Sequence, residues 1–235
     1  MEALMRKFTV ALLAGIALSI AGNGAGFAAD LPTKAPVYKA PASAAYNWTG
    51  FYLGINGGGA WGNTTWADPT PPSSSWNTSG WLVGGTAGYN WQAAGSPWVV
   101  GIEGDLDAAK ISGTGNGTDC TPVVNCQTQT TWLATVRGRG GYAWDRWLAF
   151  ATGGAAFGNI QANATGTPVE SANRAGWTVG GGAEYAFAGQ WSLKGEYLYV
   201  DLGSFNCTAV GCSIPAPTNV NHRFNVVRAG INHRF

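Results

Sequence analysis

From Trp48 to Phe235 the chain repeats one unit eight times: a stretch of alternating apolar and polar residues with a Trp, Tyr or Phe near one end. The connections between stretches alternate between long and short. A period of two is the signature of β-strands. A sheet this size leaves two unpaired edges unless it closes on itself. Closure is compulsory in lipid, where no water is present to satisfy an open edge.

Strands are expected at 48–62, 80–92, 98–111, 130–144, 147–161, 174–188, 191–204 and 222–235. Their apolar faces carry Phe51, Leu53 and Ile55; Val83, Ala87 and Tyr89; Val100, Ile102 and Leu106; Ala134, Val136 and Tyr142; Val179, Ala183 and Tyr185; Leu193, Tyr197 and Tyr199; and Val227, Ala229 and Ile231. The fifth segment is so rich in Gly and Ala that its facing stays unassigned.

Trp48, Trp61, Trp81, Trp91, Trp98, Trp132, Trp144, Trp177, Phe187 and Trp191 lie near segment ends and form an expected aromatic girdle. Trp81 and Trp91, Trp132 and Trp144, and Trp177 and Phe187 have even separations, which keeps each pair on one face. At ~3.3 Å per residue and a tilt of roughly 40°, such spans cover about 25–30 Å, the height of an outer-membrane apolar band with aromatics at both rims. Composition agrees: 36 Gly and 12 Trp stand against 11% charged residues. Mean hydropathy is near zero, as expected when apolar and polar faces average out.

The charges fall on the opposite face: Glu103, Asp105, Asp107, Arg137, Arg139, Glu184, Lys194, Glu196 and Arg228. A soluble barrel reverses this order, with large apolar residues inside and charges outside. Distances from the flanking aromatics put Glu103 level with Arg139, and Asp105 level with Arg137. The expectation is a polar interior held by ion pairs, because buried charges are costly unless paired.

Residues 1–28 read as a secretory signal peptide: Arg6 and Lys7, then an apolar run, then Gly26-Phe27-Ala28 before a cut at Ala29. A single transmembrane anchor is the alternative, and the run is short for it. Removing these residues takes away Glu2, Arg6 and Lys7 and leaves a formal net charge of zero. No nucleic-acid partner is implied. Residues 29–46 are rich in Ala and Pro and read as a periplasmic linker, leaving 47–235 for the barrel. The connections 93–97, 145–146 and 188–190 are short. Those at 63–79, 112–129, 162–173 and 205–221 are long and polar. Short turns face the periplasm and long loops face outward.

The opening Trp48-Thr49-Gly50-Phe51-Tyr52-Leu53-Gly54, the Ala28-Ala29-Asp30-Leu31-Pro32 junction, and the ending from Val227-Arg228-Ala229-Gly230-Ile231 to Phe235 resemble small outer-membrane immunogenic, porin-like surface proteins with an OmpA-type eight-stranded barrel. The resemblance implies that Phe235, with Ile231 and Ala229 on its face, forms the signal read by the barrel-assembly machinery. The fold expected is therefore all-β: a closed eight-stranded antiparallel up-and-down transmembrane barrel in the outer membrane.

Cys120 with Cys126 and Cys207 with Cys212 each fall within one long connection. Export favours a local disulfide in each, and no His or carboxylate cluster supports zinc there instead. Gly113-Thr114-Gly115-Asn116-Gly117 lacks the Lys and the strand-to-helix switch of a phosphate loop. Asp105-Leu106-Asp107 lacks the rest of a calcium loop. No cofactor is expected. His222 and Ser204 flank the last long connection and suggest a lipid-modifying enzyme, which spacing alone does not establish. The reading carried forward is a non-enzymatic structural and surface-display barrel. Its interior is plugged, its partners are outer-membrane lipid and lipopolysaccharide, and its loops are open to a host or surface ligand. A narrow channel is the alternative.

Overall fold

A computed structural model of the chain describes residues 46–67, 74–115, 126–164, 168–207 and 218–235. The expected signal peptide and nearly all of the expected linker lie outside these residues. Eight strands follow in order: β1 (Gly50–Ala67), β2 (Ser74–Gln92), β3 (Trp98–Gly115), β4 (Cys126–Trp144), β5 (Trp147–Ala164), β6 (Glu170–Ala188), β7 (Trp191–Cys207) and β8 (Thr218–Arg234). Each pairs antiparallel with its sequence neighbour, and β1 pairs with β8 to close the barrel. Two-residue turns join β4 to β5 and β6 to β7. Asp145 and Gly189 both sit at φ 51°, the left-handed conformation that tight hairpins use.

The strands are longer than the sequence pattern suggests. β1 and β2 stay paired from Gly50↔Asn90 up to Trp66↔Ser74, through most of the stretch expected to be a loop. The same extension occurs at the top of every strand. Strands of 17 to 19 residues rise about 45 Å, roughly 20 Å more than the apolar band of an outer membrane.

Irregularities adjust the wall near the upper rim, one of them between Ala108 and Ile111 on β3 against β4. The register also slips by one residue between Thr130 and Leu133 on β4 against β5, and between Asp201 and Ser204 on β7 against β8. The β4 slip turns both Thr131 and Trp132 away from the lumen while Thr130 and Leu133 point in. At the β7 slip, Gly203 takes φ 70°. Such bulges re-aim side chains without ending the ladder.

The facing of β5 is now assigned. Leu148, Phe150, Thr152, Ala156 and Ile160 are buried, whereas Trp147 and Phe157 are exposed.

Candidate functional site

The lumen is filled in three layers. The periplasmic layer is apolar: Trp48, Val99, Ala143, Leu148, Phe150 and Ala186 form one cluster with Tyr46 against it. Trp48 was expected in the outer girdle, and this is corrected. It shares the parity of Tyr52, is 2% exposed and closes the barrel mouth. Its backbone N–H donates to Gln92 Oε1 at 2.9 Å, and Tyr46 packs edge-on against its ring at 4.8 Å. Tyr46 in turn lies under the Arg234 guanidinium. Burial pushes the Tyr46 phenol pKa up.

The middle layer holds all nine charges named from the sequence, and each is buried. Arg137 is its hub. It contacts Glu103 and Asp105 on β3 and Glu196 on β7, the last at 3.0 Å. Glu103 also receives Lys194 at 2.9 Å and the Tyr52 hydroxyl at 2.7 Å. Arg228 joins Glu196, Asp105 and Asp107 at 2.7, 2.8 and 2.9 Å. Arg139 reaches Glu184 at 2.9 Å and lies 4.2 Å from the Phe150 ring centroid. Neutral donors complete the carboxylates: Thr86 and Thr135 donate to Asp105, and Ser192 and Asn232 donate to Glu184. Seven strands therefore contribute a polar side chain to one network, and β5 contributes the Phe150 ring beside Arg139. The neutral partners Tyr52, Thr86, Thr135, Ser192 and Asn232 were not singled out in the sequence, although each shares the parity of the charges.

The pairing across β3 and β4 differs from the sequence expectation by two residues. Glu103 lies opposite Arg137, and Gly101 lies opposite Arg139. Equal distances from the rim aromatics assume level strands. Closing a barrel requires each strand to be staggered against the next, so Trp98 meets Tyr142 rather than Trp144.

The upper layer is mostly apolar, with Thr64, Thr128 and His222 buried among its rings, so the polar interior expected from the sequence is confined to the middle of the barrel. Trp66, Trp76, Ile111, Leu133, Ile160, Leu202 and Phe224 belong to one buried cluster. At this height the outer face turns polar: Asn63, Asn77, Asn173 and Arg223 are exposed. Asn63 donates to Asn77 Oδ1 at 2.9 Å, and Asn159 donates to Asn173 Oδ1 at 3.0 Å. The barrel thus has membrane polarity below the upper aromatics and water-soluble polarity above them. The alternation had continued through the expected loops with its sign reversed, and that reversal was the signal available in the sequence.

Outside, Trp61, Trp81, Trp91, Trp98, Trp144, Trp177, Phe187 and Trp191 are exposed on the lower, apolar wall. Trp132 points outward but is half-buried at the β4 bulge. Ala229, Ile231 and Phe235 face outward on β8, and Phe235 is 67% exposed. Its N–H donates to Phe51 O at 2.9 Å, and His233 sits between the rings of Trp191 and Phe235.

His222 is fully buried, hydrogen-bonded to Thr64 at 2.7 Å, while Ser204 is exposed. The Ser-His pair suggested by the sequence is not assembled. Cys126 is buried at the start of β4 and disulfide-bonded. Cys120 and Cys212 lie outside the described residues, as does the side chain of Cys207, so neither expected pairing is described.

An exterior banded by aromatics around a lumen of paired charges defines an integral outer-membrane β-barrel. The chain belongs to the outer membrane protein beta-barrel domain family, whose model matches residues 35–235. It is 37% identical to the 31 kDa outer-membrane immunogenic protein of Brucella melitensis, over 95% of this chain and 98% of the relative. It is 31% identical to a 22 kDa outer membrane protein of Rhizobium leguminosarum bv. viciae, over 71% of this chain and 70% of the relative. Among solved structures, Neisserial surface protein A aligns over 80% of this chain and 98% of its own, at 13% identity and a TM-score of 0.45. The protein resides in the outer membrane.

Proposed function

We propose that this outer-membrane barrel is a plugged, non-enzymatic scaffold that stabilises the membrane and displays its outer end to the surroundings. The observation that carries this reading is the contact of Arg137 with Glu103, Asp105 and Glu196 from opposite parts of the wall. A guanidinium held by three carboxylates crosses the space a solute would need. The Trp48 cluster below and the Trp66–Phe224 cluster above support the same reading. An eight-stranded barrel is just wide enough for side chains to fill.

Display is supported by the strand ends that project past the apolar band, and by the description of the Brucella relative as immunogenic. Lipid and lipopolysaccharide would surround the wall. The outward row Ala229, Ile231 and Phe235 would be the segment recognised by the assembly machinery. Disulfides of Cys120 with Cys126 and of Cys207 with Cys212 would staple two outer connections, with a host or surface ligand as their partner.

Planar-bilayer recording of the purified protein tests the plug. The expected result is no stable unit conductance, and sizeable, stable steps would overturn it in favour of a channel. A changed lipid A profile on deletion of the gene would overturn the non-enzymatic reading.

A further inference from the structure

The outer wall of β7, β8 and β1 changes character within a few residues. Below, Ile55, Leu193, Ala229 and Ile231 line an apolar surface. Immediately above lies a groove of about 550 Å³ whose lining includes Asn63, Tyr199, Asn221, Arg223 and Asn225. Register fixes its height. Asn225 lies opposite Trp61 on β1 and Tyr199 on β7, and Arg223 lies opposite Asn63 and Asp201. Trp61 and Trp177 belong to the upper aromatic ring, and Tyr199 packs on Trp177 with ring centroids 5.4 Å apart. The groove therefore opens sideways at the level where acyl chains give way to headgroups, and interfacial aromatics mark that level.

Its side chains are held in place. Tyr197 donates to Asn225 Oδ1 at 2.5 Å, and Asn225 Nδ2 donates to Trp61 O at 3.3 Å. Asp201 receives Arg223 Nε at 3.0 Å and the Gly203 N–H at 2.8 Å. Only one edge of the guanidinium is engaged in that pair, and the Arg223 side chain remains 55% exposed. Fixed amides offer donors and acceptors side by side, which suits hydroxyl-rich rings. A guanidinium fixed along one edge presents its remaining N–H groups to a phosphate oxygen. The outer leaflet supplies both chemistries in one molecule.

We propose that this groove binds the phosphorylated core sugars, above the lipid A headgroup, of a lipopolysaccharide molecule packed against β7, β8 and β1. The site goes beyond the plugged-scaffold reading and does not depend on it, since a conducting barrel would carry the same outer wall.

Native mass spectrometry and titration of the detergent-purified barrel test the site with three probes: intact lipopolysaccharide, lipid A without core sugars, and delipidated phosphorylated core oligosaccharide. Heat-modifiable migration reports folding. Intact lipopolysaccharide should bind most tightly, with weaker but measurable oligosaccharide binding. Arg223→Gln should weaken both by about tenfold, the loss of one charge-assisted contact, and removing the phosphates from the oligosaccharide should abolish that difference. Asn221→Ala should weaken binding with or without phosphate, and it stands alone if Arg223→Gln misfolds. Gln129→Ala, on the outer face of β4, should change nothing. Lipid A binding as tight as lipopolysaccharide, with no oligosaccharide binding, would overturn the proposal in favour of ordinary lipid solvation. Free oligosaccharide binding as tightly as lipopolysaccharide would overturn the membrane source in favour of a soluble saccharide. Folded groove variants that bind like the parent would overturn the site itself.

Discussion

Arg137 on β4 and Glu196 on β7 meet across the lumen at 3.0 Å. They stand three strands apart around the wall, so the contact braces the barrel through its centre. No ladder hydrogen bond does this, because each ladder joins only adjacent strands. Arg137 Nε also donates to Thr135 Oγ1 at 3.0 Å, which fixes the guanidinium plane while its two ends take different carboxylates. The glycines opposite make room for this layer. A Cβ at Gly84 would run into Asp107 Oδ1 and the Leu106 carbonyl.

Removing Arg137 should therefore destabilise the barrel strongly. Arg137→Ala leaves Glu103, Asp105 and Glu196 facing one another with less counter-charge in a site closed to water. Breaking a buried pair in this way costs about 3–5 kcal/mol. Urea unfolding in lipid vesicles, followed by tryptophan fluorescence, should show a matching fall in midpoint. A change below ~1 kcal/mol would mean that the network is spectator to stability.

The middle layer holds five carboxylates, Glu103, Asp105, Asp107, Glu184 and Glu196, against four cations, Arg137, Arg139, Lys194 and Arg228. Asp107 is the carboxylate with the thinnest support: Arg228 reaches its Oδ2, and its Oδ1 has no hydrogen-bond partner. Asp107→Asn keeps an acceptor for Arg228 and removes the excess charge, so its stability should stay within about 1 kcal/mol of the parent. Arg228→Met worsens the imbalance and should cost about 3–5 kcal/mol. The double variant should recover part of that loss. A double-mutant cycle with no coupling would show that Asp107 and Arg228 act independently.

Trp48 gives a third prediction. Its ring caps the lower cluster against Val99, Leu148 and Phe150, so Trp48→Ala should lose about 3–5 kcal/mol through an unfilled cavity. Hydrogen exchange should accelerate at the lower ends of β3, β4 and β5 while the amides beside Arg137 stay protected. Uniform acceleration along all strands would instead mean that the mouth and the charged layer unfold as one unit.

Strand number and order, and the facing of every strand but β5, were legible because period-two alternation is local and eightfold repeated. The nine inner charges followed from parity alone. Their partners did not, since stagger is a property of the closed sheet: Glu103 faces Arg137 because the strands slide on closure, and no single strand encodes that slide. Trp48 was read as a girdle member from residue type, although its even position set it with Tyr52. The upper strands were read as loops because polarity was taken to mean irregular structure. Trp66, Trp76 and Phe224 kept the alternation going, now pointing inward. The same two-residue period serves lipid below and water above, and only the sign of the pattern tells them apart.

That change of sign can be measured position by position. Asn77 and Val83 both face outward on β2, with Trp81 between them near the upper rim. If water meets the wall above Trp81 and lipid below it, Asn77→Cys should react in intact cells with a membrane-impermeant maleimide, and Val83→Cys should not. Charge should discriminate equally well. Ile102→Arg, in the exposed apolar part of β3, should cost about 2–4 kcal/mol as a lipid-facing cation. Gln129→Arg, on the outer face of upper β4, should change stability by no more than about 0.5 kcal/mol. Inside the same upper region the preference reverses: Phe224→Asp would place a carboxylate among Trp66, Leu202 and Val226, and folding should fail at the step that produces the heat-modifiable form. Protection of Asn77→Cys from the maleimide, with a large penalty for Gln129→Arg, would put the upper strands in lipid and set the whole barrel deeper, towards the periplasm.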